Sequence, residues 1–286
     1  MKASELVLAP DGKLYHIHLD SSTLADKVLL VGDPGRVEMF KGIFDSIEYE
    51  SYNREMHALT GTYHGSRMTA LSTGMGCDNI DIVMTELDAA LRVEGGEWRA
   101  ESDRHLQLVR IGTSGSLQPE IDCGSPVASA YAIGLDGLMN YYREWNQQSA
   151  VSEMEQAFLQ HMELDSSLAR PYCVGGSERL LERVAKGMHH GITATAPGFY
   201  GPQGRTIRLH PSIENLNEKL ASFHWDSLAV TNLEMETSAI YGFSRLLSHE
   251  ALTVCLIIAN RPRGTFLNDY HEPMRQLVGT VVERLT

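Results

Sequence analysis

Several stretches of this chain carry side chains with chemistry to offer. Asn232-Leu233-Glu234-Met235-Glu236 places two carboxylates between an apolar run, Leu228-Ala229-Val230, and a run with a helical apolar face, Ala239 to Leu247. A buried carboxylate is costly unless paired or hydrogen-bonded. At the carboxyl end of a strand in an open α/β sheet it stands where ligands bind, and one Glu would then accept hydrogen bonds from ligand hydroxyls. The plainer alternative puts both in a solvated first helical turn, where acidic groups complement the helix dipole, and the stretch by itself favours that alternative. Gly32-Asp33-Pro34-Gly35-Arg36, Gly74-Met75-Gly76, Arg110-Ile111-Gly112-Thr113-Ser114-Gly115 and Asn260-Arg261 each end an apolar run. Gly-rich turns that enter helices suit anions, and Arg36 and Arg110 can each grip phosphate in a bidentate fork while Thr113 donates a hydroxyl. Any one glycine turn reads equally as ordinary turn chemistry. Arg110 is harder to explain away, because an unpaired Arg inside an apolar strand is costly. Phe199-Tyr200-Gly201-Pro202-Gln203-Gly204-Arg205 offers aromatic contact for a planar ring, a donor and acceptor on Gln203, and donors on Arg205. That set complements the carbonyl and N–H edge of uracil, although alone it reads as a Gly/Pro surface loop.

The elements that must position these groups alternate along the chain. Strands are expected at Lys27–Val31, Arg67–Thr73, Leu106–Ile111, Ser125–Tyr131, Gly191–Thr195, Leu228–Val230 and Ala251–Ala259. Helices are expected from Val37, over Ile80–Val93, Glu153–Met162, Ser177–Lys186, Ile213–Ser222, Ala239–Leu247 and Tyr270–Leu285. The glycines of Gly112-Thr113-Ser114-Gly115 are read as a turn that ends the third strand, and Tyr15-His16-Ile17-His18-Leu19 as an alternating N-terminal strand. Glu94–Asp103 reads as a polar surface excursion, and Gly134–Arg170 is the least regular region. Strands alternating with helices argue for a largely parallel sheet covered on both faces. No linker or repeat divides residues 1–286, so one domain is expected.

Composition excludes several classes. The chain has 286 residues, 43% of them hydrophobic, which is ample for a large core. A formal charge of −13 disfavours a nucleic-acid partner. Cys77, Cys123, Cys173 and Cys255 are widely spaced, with no CxxC and no zinc-like cluster, and read as buried reduced thiols of a cytoplasmic protein. Met1 to Leu6 lacks a signal-peptide core, and no apolar run is long enough to span a bilayer. Neither GxGxxG nor GxxxxGK[ST] is present, so neither a dinucleotide nor a nucleoside triphosphate is indicated.

With these motifs in this order, adding Arg54-Glu55 and Ser72-Thr73, the chain resembles the nucleoside phosphorylase family, and within it the members that cleave uridine. The resemblance implies a three-layer α/β/α fold with a mixed, distorted central sheet. It implies reversible phosphorolysis of uridine to uracil and ribose 1-phosphate, as in pyrimidine salvage, by a pentosyltransferase whose co-substrate is phosphate and which needs no other cofactor or metal. By similarity Gly32, Arg36, Arg110 and Thr113 hold phosphate, joined by Arg54 of a neighbouring subunit. Glu236 binds the ribose hydroxyls with Met235 against the sugar and Thr113 nearby, and His16 of the neighbour, with His18 as rival, bonds the 5′-hydroxyl. Phe199, Gln203 and Arg205 hold uracil, with Arg261 close behind. The reacting set is Arg205, Gln203, Glu236 and Arg110. Sites shared in this way imply a homo-oligomer, at least a dimer, and family members can hold a monovalent cation at that interface through the Glu matching Glu55. Purine-cleaving members carry an Asp, in a Ser-Asp pair, after the strand that here ends at Ala259; here Asn260-Arg261 follows that strand, and Asn cannot serve as that acid, whereas Arg suits a pyrimidine carbonyl. A purine phosphorylase, a nucleosidase and a non-catalytic nucleoside-binding protein are the competing readings.

Overall fold

The computed structural model describes residues 2, 4–99, 102–147 and 152–286. It begins with β1 (Lys27–Val31) and α1 (Pro34–Lys41), then β2 (Ser46–Asn53), β3 (Met56–Tyr63), β4 (Ser66–Ser72) and α2 (Cys77–Ala90). A short hairpin, β5 (Val93–Glu94) and β6 (Glu97–Trp98), leads to two long strands, β7 (Gln107–Ser116) and β8 (Pro126–Gly134). Next come α3 (Arg143–Gln147), α4 (Ser152–Met162), β9 (Tyr172–Gly175), α5 (Glu178–Val184) and β10 (His189–Thr195). The chain closes with α6 (Leu216–Ser222), β11 (His224–Trp225), β12 (Leu228–Glu234), α7 (Thr237–Leu246), β13 (Glu250–Asn260), β14 (Thr265–Phe266) and α8 (His271–Leu285).

The main sheet runs β11-β12-β10-β8-β13-β7-β1-β4-β3-β2, and β12 also pairs with β7. That last pairing, Asn232 with Ser116 and Leu233 with Gly115, closes β7, β12, β10, β8 and β13 into a ring. Adjacent residues of β1 enter different cores: Val28 and Leu30 pack with α2 and α7, Leu29 and Val31 with α1, α5 and α8. Side chains alternate across a strand, so this split shows helices on both faces, the three-layer arrangement. α8 follows the same logic with a 3.6-residue period, burying Met274, Leu277, Val278, Val281, Val282 and Leu285. The apolar run of β13 is paired on both edges, by β7 and β8, and buried on both faces: Leu252, Val254 and Leu256 pack with α5 and α8, and Ala251 joins the core of α2 and α7.

The sheet is mixed, as the resemblance implies and against the largely parallel sheet argued from the alternation of strands and helices: β2, β3 and β4 form an antiparallel meander, and β8 with β13 and β12 with β7 are antiparallel. Several other expectations need correction. β2 and β3 carry no clean apolar alternation, since β3 buries His57 and Thr60 through hydrogen bonds to Glu50 and Thr69. Gly112 to Gly115 is no turn but the second half of β7, laddered along β13. Residues 15–17 form a turn and His18 has φ +53°, so no N-terminal strand exists there. Cys77, Cys173 and Cys255 are buried, whereas Cys123 is only half-buried. The 94–103 excursion contains the β5–β6 hairpin, with Ala100 and Glu101 outside the described residues, as are residues 148–151 of the 134–170 region.

Candidate active site

The carboxyl ends of β1, β4, β7, β12 and β13 converge on a cavity of about 910 Å³. Gly32, Arg36, Arg110, Thr113, Phe199, Gln203, Arg205, Met235, Glu236 and Arg261 all line it. Glu55, Asn260, Glu234 and the apolar Leu233, Ile258, Phe266 and Met75 are also part of the wall.

At the inner end lies a buried charge cluster. Arg110, 4% exposed, donates to Glu236 Oε2 and stands 3.2 Å from Glu234 Oε2. Its Nη1 also donates to Cys255 Sγ at 3.4 Å. Gly112 explains how the guanidinium fits: a Cβ there would fall 2.0 Å from Arg110 Nη1. Burial opposes the Arg110 charge, but Glu236 and Glu234 outweigh it and hold the group above its ordinary range. Burial pushes Glu236 up; Arg110 resists that push and the like charge of Glu234 reinforces it. Gly76, in the left-handed region at φ +94°, presents its N–H to Glu236 Oε1 at 2.7 Å. Neither Glu lies in a solvated helical turn, since both are buried where β12 hands over to α7.

Arg36 reaches over from α1, whose first turn is capped by Asp33 accepting from Gly35 N at 2.8 Å. Its Nη1 donates to Ile111 O at 3.3 Å, and burial, then the nearby Arg110, lower its proton affinity. Arg36 Nε, Arg110 Nε and Arg261 Nη1 are buried without a hydrogen-bond partner among the described residues. Arg36, Arg205 and Arg261 line the cavity with no carboxylate in ion-pair range among the described residues, so its positive charge favours an acceptor-rich, anionic group.

The outer end is built by the loop after β10. Gln203 is buried, and Arg205 Nη1 donates to Gln203 Oε1 at 2.6 Å and Phe199 O at 2.5 Å. The Arg205 guanidinium lies 3.8 Å from the Phe199 ring centroid. Burial, then the nearby Arg261, lowers it to about 10. Arg261 donates to Gln203 O at 3.3 Å, tying β13 to this loop. Asn260 is spent on structure: its Nδ2 donates to Gln118 O and Ile121 O, and its Oδ1 accepts from Arg263 N.

His16 and Arg54 do not line this cavity. They stand together elsewhere: Asn53, the neighbour of Arg54 at the β2–β3 turn, donates to Tyr15 O and His16 O at 2.6 and 3.2 Å. Glu86 holds the His16 backbone N–H at 3.0 Å and lies 2.6 Å from its Nδ1. His18 instead stands 3.1 Å from Asp11. Sequence reasoning gave no role to Glu234, though the pair Glu234 and Glu236 was itself the signal. It also missed Cys255 behind Arg110, which nothing in an apolar strand pattern distinguishes.

A family model described as the phosphorylase superfamily matches residues 26–283. The chain is 29% identical over 259 residues to a uridine phosphorylase of Thermococcus kodakarensis, covering 90% of this chain and 80% of that one. It is 28% identical to a purine nucleoside phosphorylase of Oceanobacillus iheyensis, covering 85% of each. Among solved structures, a nucleoside phosphorylase of Trypanosoma brucei described as showing uridine phosphorylase activity aligns with a TM-score of 0.85 at 29% identity, covering 97% of this chain and 99% of that one.

Proposed function

The chain belongs to the phosphorylase superfamily, and from that membership we propose that it transfers the pentosyl group of uridine to phosphate, giving uracil and ribose 1-phosphate. The observation that carries the reading is the two-ended cavity, with Arg36 and Arg110 at one end and the Gln203–Arg205 pair at the other. Phosphate takes Arg36, Arg110, Thr113 and the backbone of Gly32. Glu236 accepts from the ribose hydroxyls and Met235 packs against the sugar. Gln203 meets the N–H and one carbonyl of uracil, Arg205 the other carbonyl, with Phe199 and Arg261 beside the ring.

The chemistry follows from this layout. The C1′–N1 bond breaks and its electron pair moves into the uracil ring, where Arg205 and Gln203 stabilise the negative charge. The sugar becomes oxocarbenium-like, and the phosphate dianion on the opposite face stabilises it and then forms the new C1′–O bond. Uracil takes its proton from solvent. No covalent enzyme intermediate is required.

His16 and Arg54 serve the cavity of a second copy, making the working unit at least a dimer. Exposed Met75, Phe199 and Phe266 support this, since large apolar side chains around a cavity invite a covering surface. A monovalent cation held at Glu55 between the two copies is part of the same reading. The His and carboxylate cluster found among the described residues, Glu38, Glu50 and His57, already holds the Lys41 ammonium. Among the described residues no helix is long and apolar enough to cross a membrane.

The test is ultraviolet absorbance of uridine with and without phosphate, and inosine in parallel. Loss of uridine only with phosphate is expected. Phosphate-independent cleavage would mean a hydrolase, and cleavage of inosine alone a purine enzyme.

A further inference from the structure

We propose that Glu234 is a positioning residue of this reaction, a carboxylate that touches no substrate but holds Glu236 and Arg110 in fixed register. The inference rests on the proposed reading of the cavity. Glu234 is the last residue of β12 and is buried. Its Oε1 accepts from Thr195 Oγ1 at 2.7 Å and from Thr237 N at 3.0 Å. Its Oε2 accepts from Glu236 N at 2.9 Å and Thr237 N at 3.0 Å, and stands 3.2 Å from Arg110 Nη1.

A carboxylate has about four lone-pair sites, and on this one, although it reaches the cavity wall, the protein donors Thr195 Oγ1, Glu236 N, Thr237 N and Arg110 Nη1 surround both oxygens. Those sites are occupied, so Glu234 has nothing left for a sugar hydroxyl. Its partners, however, are the working parts. One bond fixes the backbone of Glu236 itself. Another steadies the guanidinium that Glu236 also holds. The bonds to Thr237 N cap α7, which satisfies a donor that a helix start leaves open. Thr195 ties the arrangement to the end of β10, from which the base loop departs.

Glu234 also sets the field at Glu236. Facing Glu236 are Arg110 from β7, Cys255 from β13 behind it, and Cys77 at the start of α2, whose thiol donates to Met235 O. Beyond these lie Arg36 on α1 and Asp136 after β8. Of the groups in contact with this cluster, Glu234 is the like charge.

Glu234→Gln changes little in shape but removes the charge and sets an amide NH2 among backbone donors, with only the Thr195 hydroxyl able to accept from it. The KM for phosphate should rise on the order of tenfold or more as Arg110 loses a partner. Relieved of the like charge, Glu236 should ionise more readily, so the acid limb of kcat/KM for uridine should move down by about one pH unit. Glu234→Asp keeps the charge and shortens the reach; it should raise KM and leave the acid limb in place. A lower Tm with unchanged phosphate KM and unchanged acid limb would reduce Glu234 to a helix cap and overturn the proposal. Phosphate binding by calorimetry on the same variants needs no turnover. If wild-type protein does not cleave uridine, the proposed function fails by itself, and an unchanged phosphate Kd in Glu234→Gln would still overturn the role given to Glu234.

Discussion

Replacing Arg110 by Met separates what this residue does for the fold from what it does for a substrate. The side chain is 4% exposed and lies between Glu234 and Glu236, themselves 4% and 5% exposed. Deleting one partner of a buried ion pair costs about 3–5 kcal/mol, because it strands a charge away from water. Here one cation serves two carboxylates, so the cost belongs at the upper end of that range. For a chain of this size each kcal/mol moves Tm by roughly 2–4 °C, and a fall of about 10 °C or more is expected at neutral pH. The pH dependence carries the sharper test. Burial already raises Glu236 above the ordinary carboxylate range, and without Arg110 only the Gly76 N–H opposes that rise. A group whose folded-state pKa lies above its unfolded value contributes stability below the unfolded pKa and loses it as pH rises through the folded pKa. The gap between wild type and variant should therefore be widest near pH 8 and shrink towards about pH 5.5. Circular dichroism melts across that range measure it, and the double variant Arg110→Met/Glu236→Gln should recover part of the loss. A gap under about 2 °C, or one that does not vary with pH, would refute the account of the cluster as a cation neutralising two buried acids.

Gly112→Ala should weaken phosphate binding on the order of tenfold while uridine binding changes less, because the new Cβ would sit 2.0 Å from Arg110 Nη1 and must displace the guanidinium; calorimetry with each ligand decides. Asn260→Asp should lower stability by about 1–3 kcal/mol, since it sets a carboxylate oxygen against Gln118 O and Ile121 O. It should confer no inosine cleavage, and inosine turnover in that variant would show that the side chain reaches the base. His249 is buried, and burial, only partly countered by Asp88, lowers it to about 4. Its folded pKa is depressed, so the stability it contributes is present above about 6.5 and is lost as pH falls towards about 4. His249→Leu should flatten that part of the pH–Tm profile.

The strand ends were legible because apolar runs and glycine turns mark them locally, and the cavity gathers most of the side chains those ends carry. Gly112 to Gly115 was misread because glycines signal turns only where nothing pairs with them, and here β13 runs alongside. The β2–β3 hairpin escaped because Glu, Tyr and Ser dominate β2, most of which is exposed, while β3 hides polar side chains behind hydrogen bonds. The roles of Glu234 and Glu236 diverge because β12 ends at Glu234 and Glu236 stands at the cap of α7, and residue spacing alone does not locate that boundary. The burial of Arg110 was legible from its apolar neighbours; its two acidic partners were not, since they lie on β12 and at its junction with α7, more than a hundred residues along the chain.

The ring of five strands has a consequence for how the site comes into being. Asn232 Nδ2 on β12 donates to Ser114 Oγ on β7, a bond spanning 118 residues of chain. Contacts this distant in sequence form slowly, because the entropy of closing the intervening loop is lost before the contact rewards it. Arg110 sits on one side of that seam and Glu234 on the other, with Glu236 just beyond it. Helices and the local β2–β4 meander need not wait for the seam, but the charge cluster must. Refolding protein should therefore regain helical signal well before phosphate binding, and the working site is among the last parts of the molecule to mature.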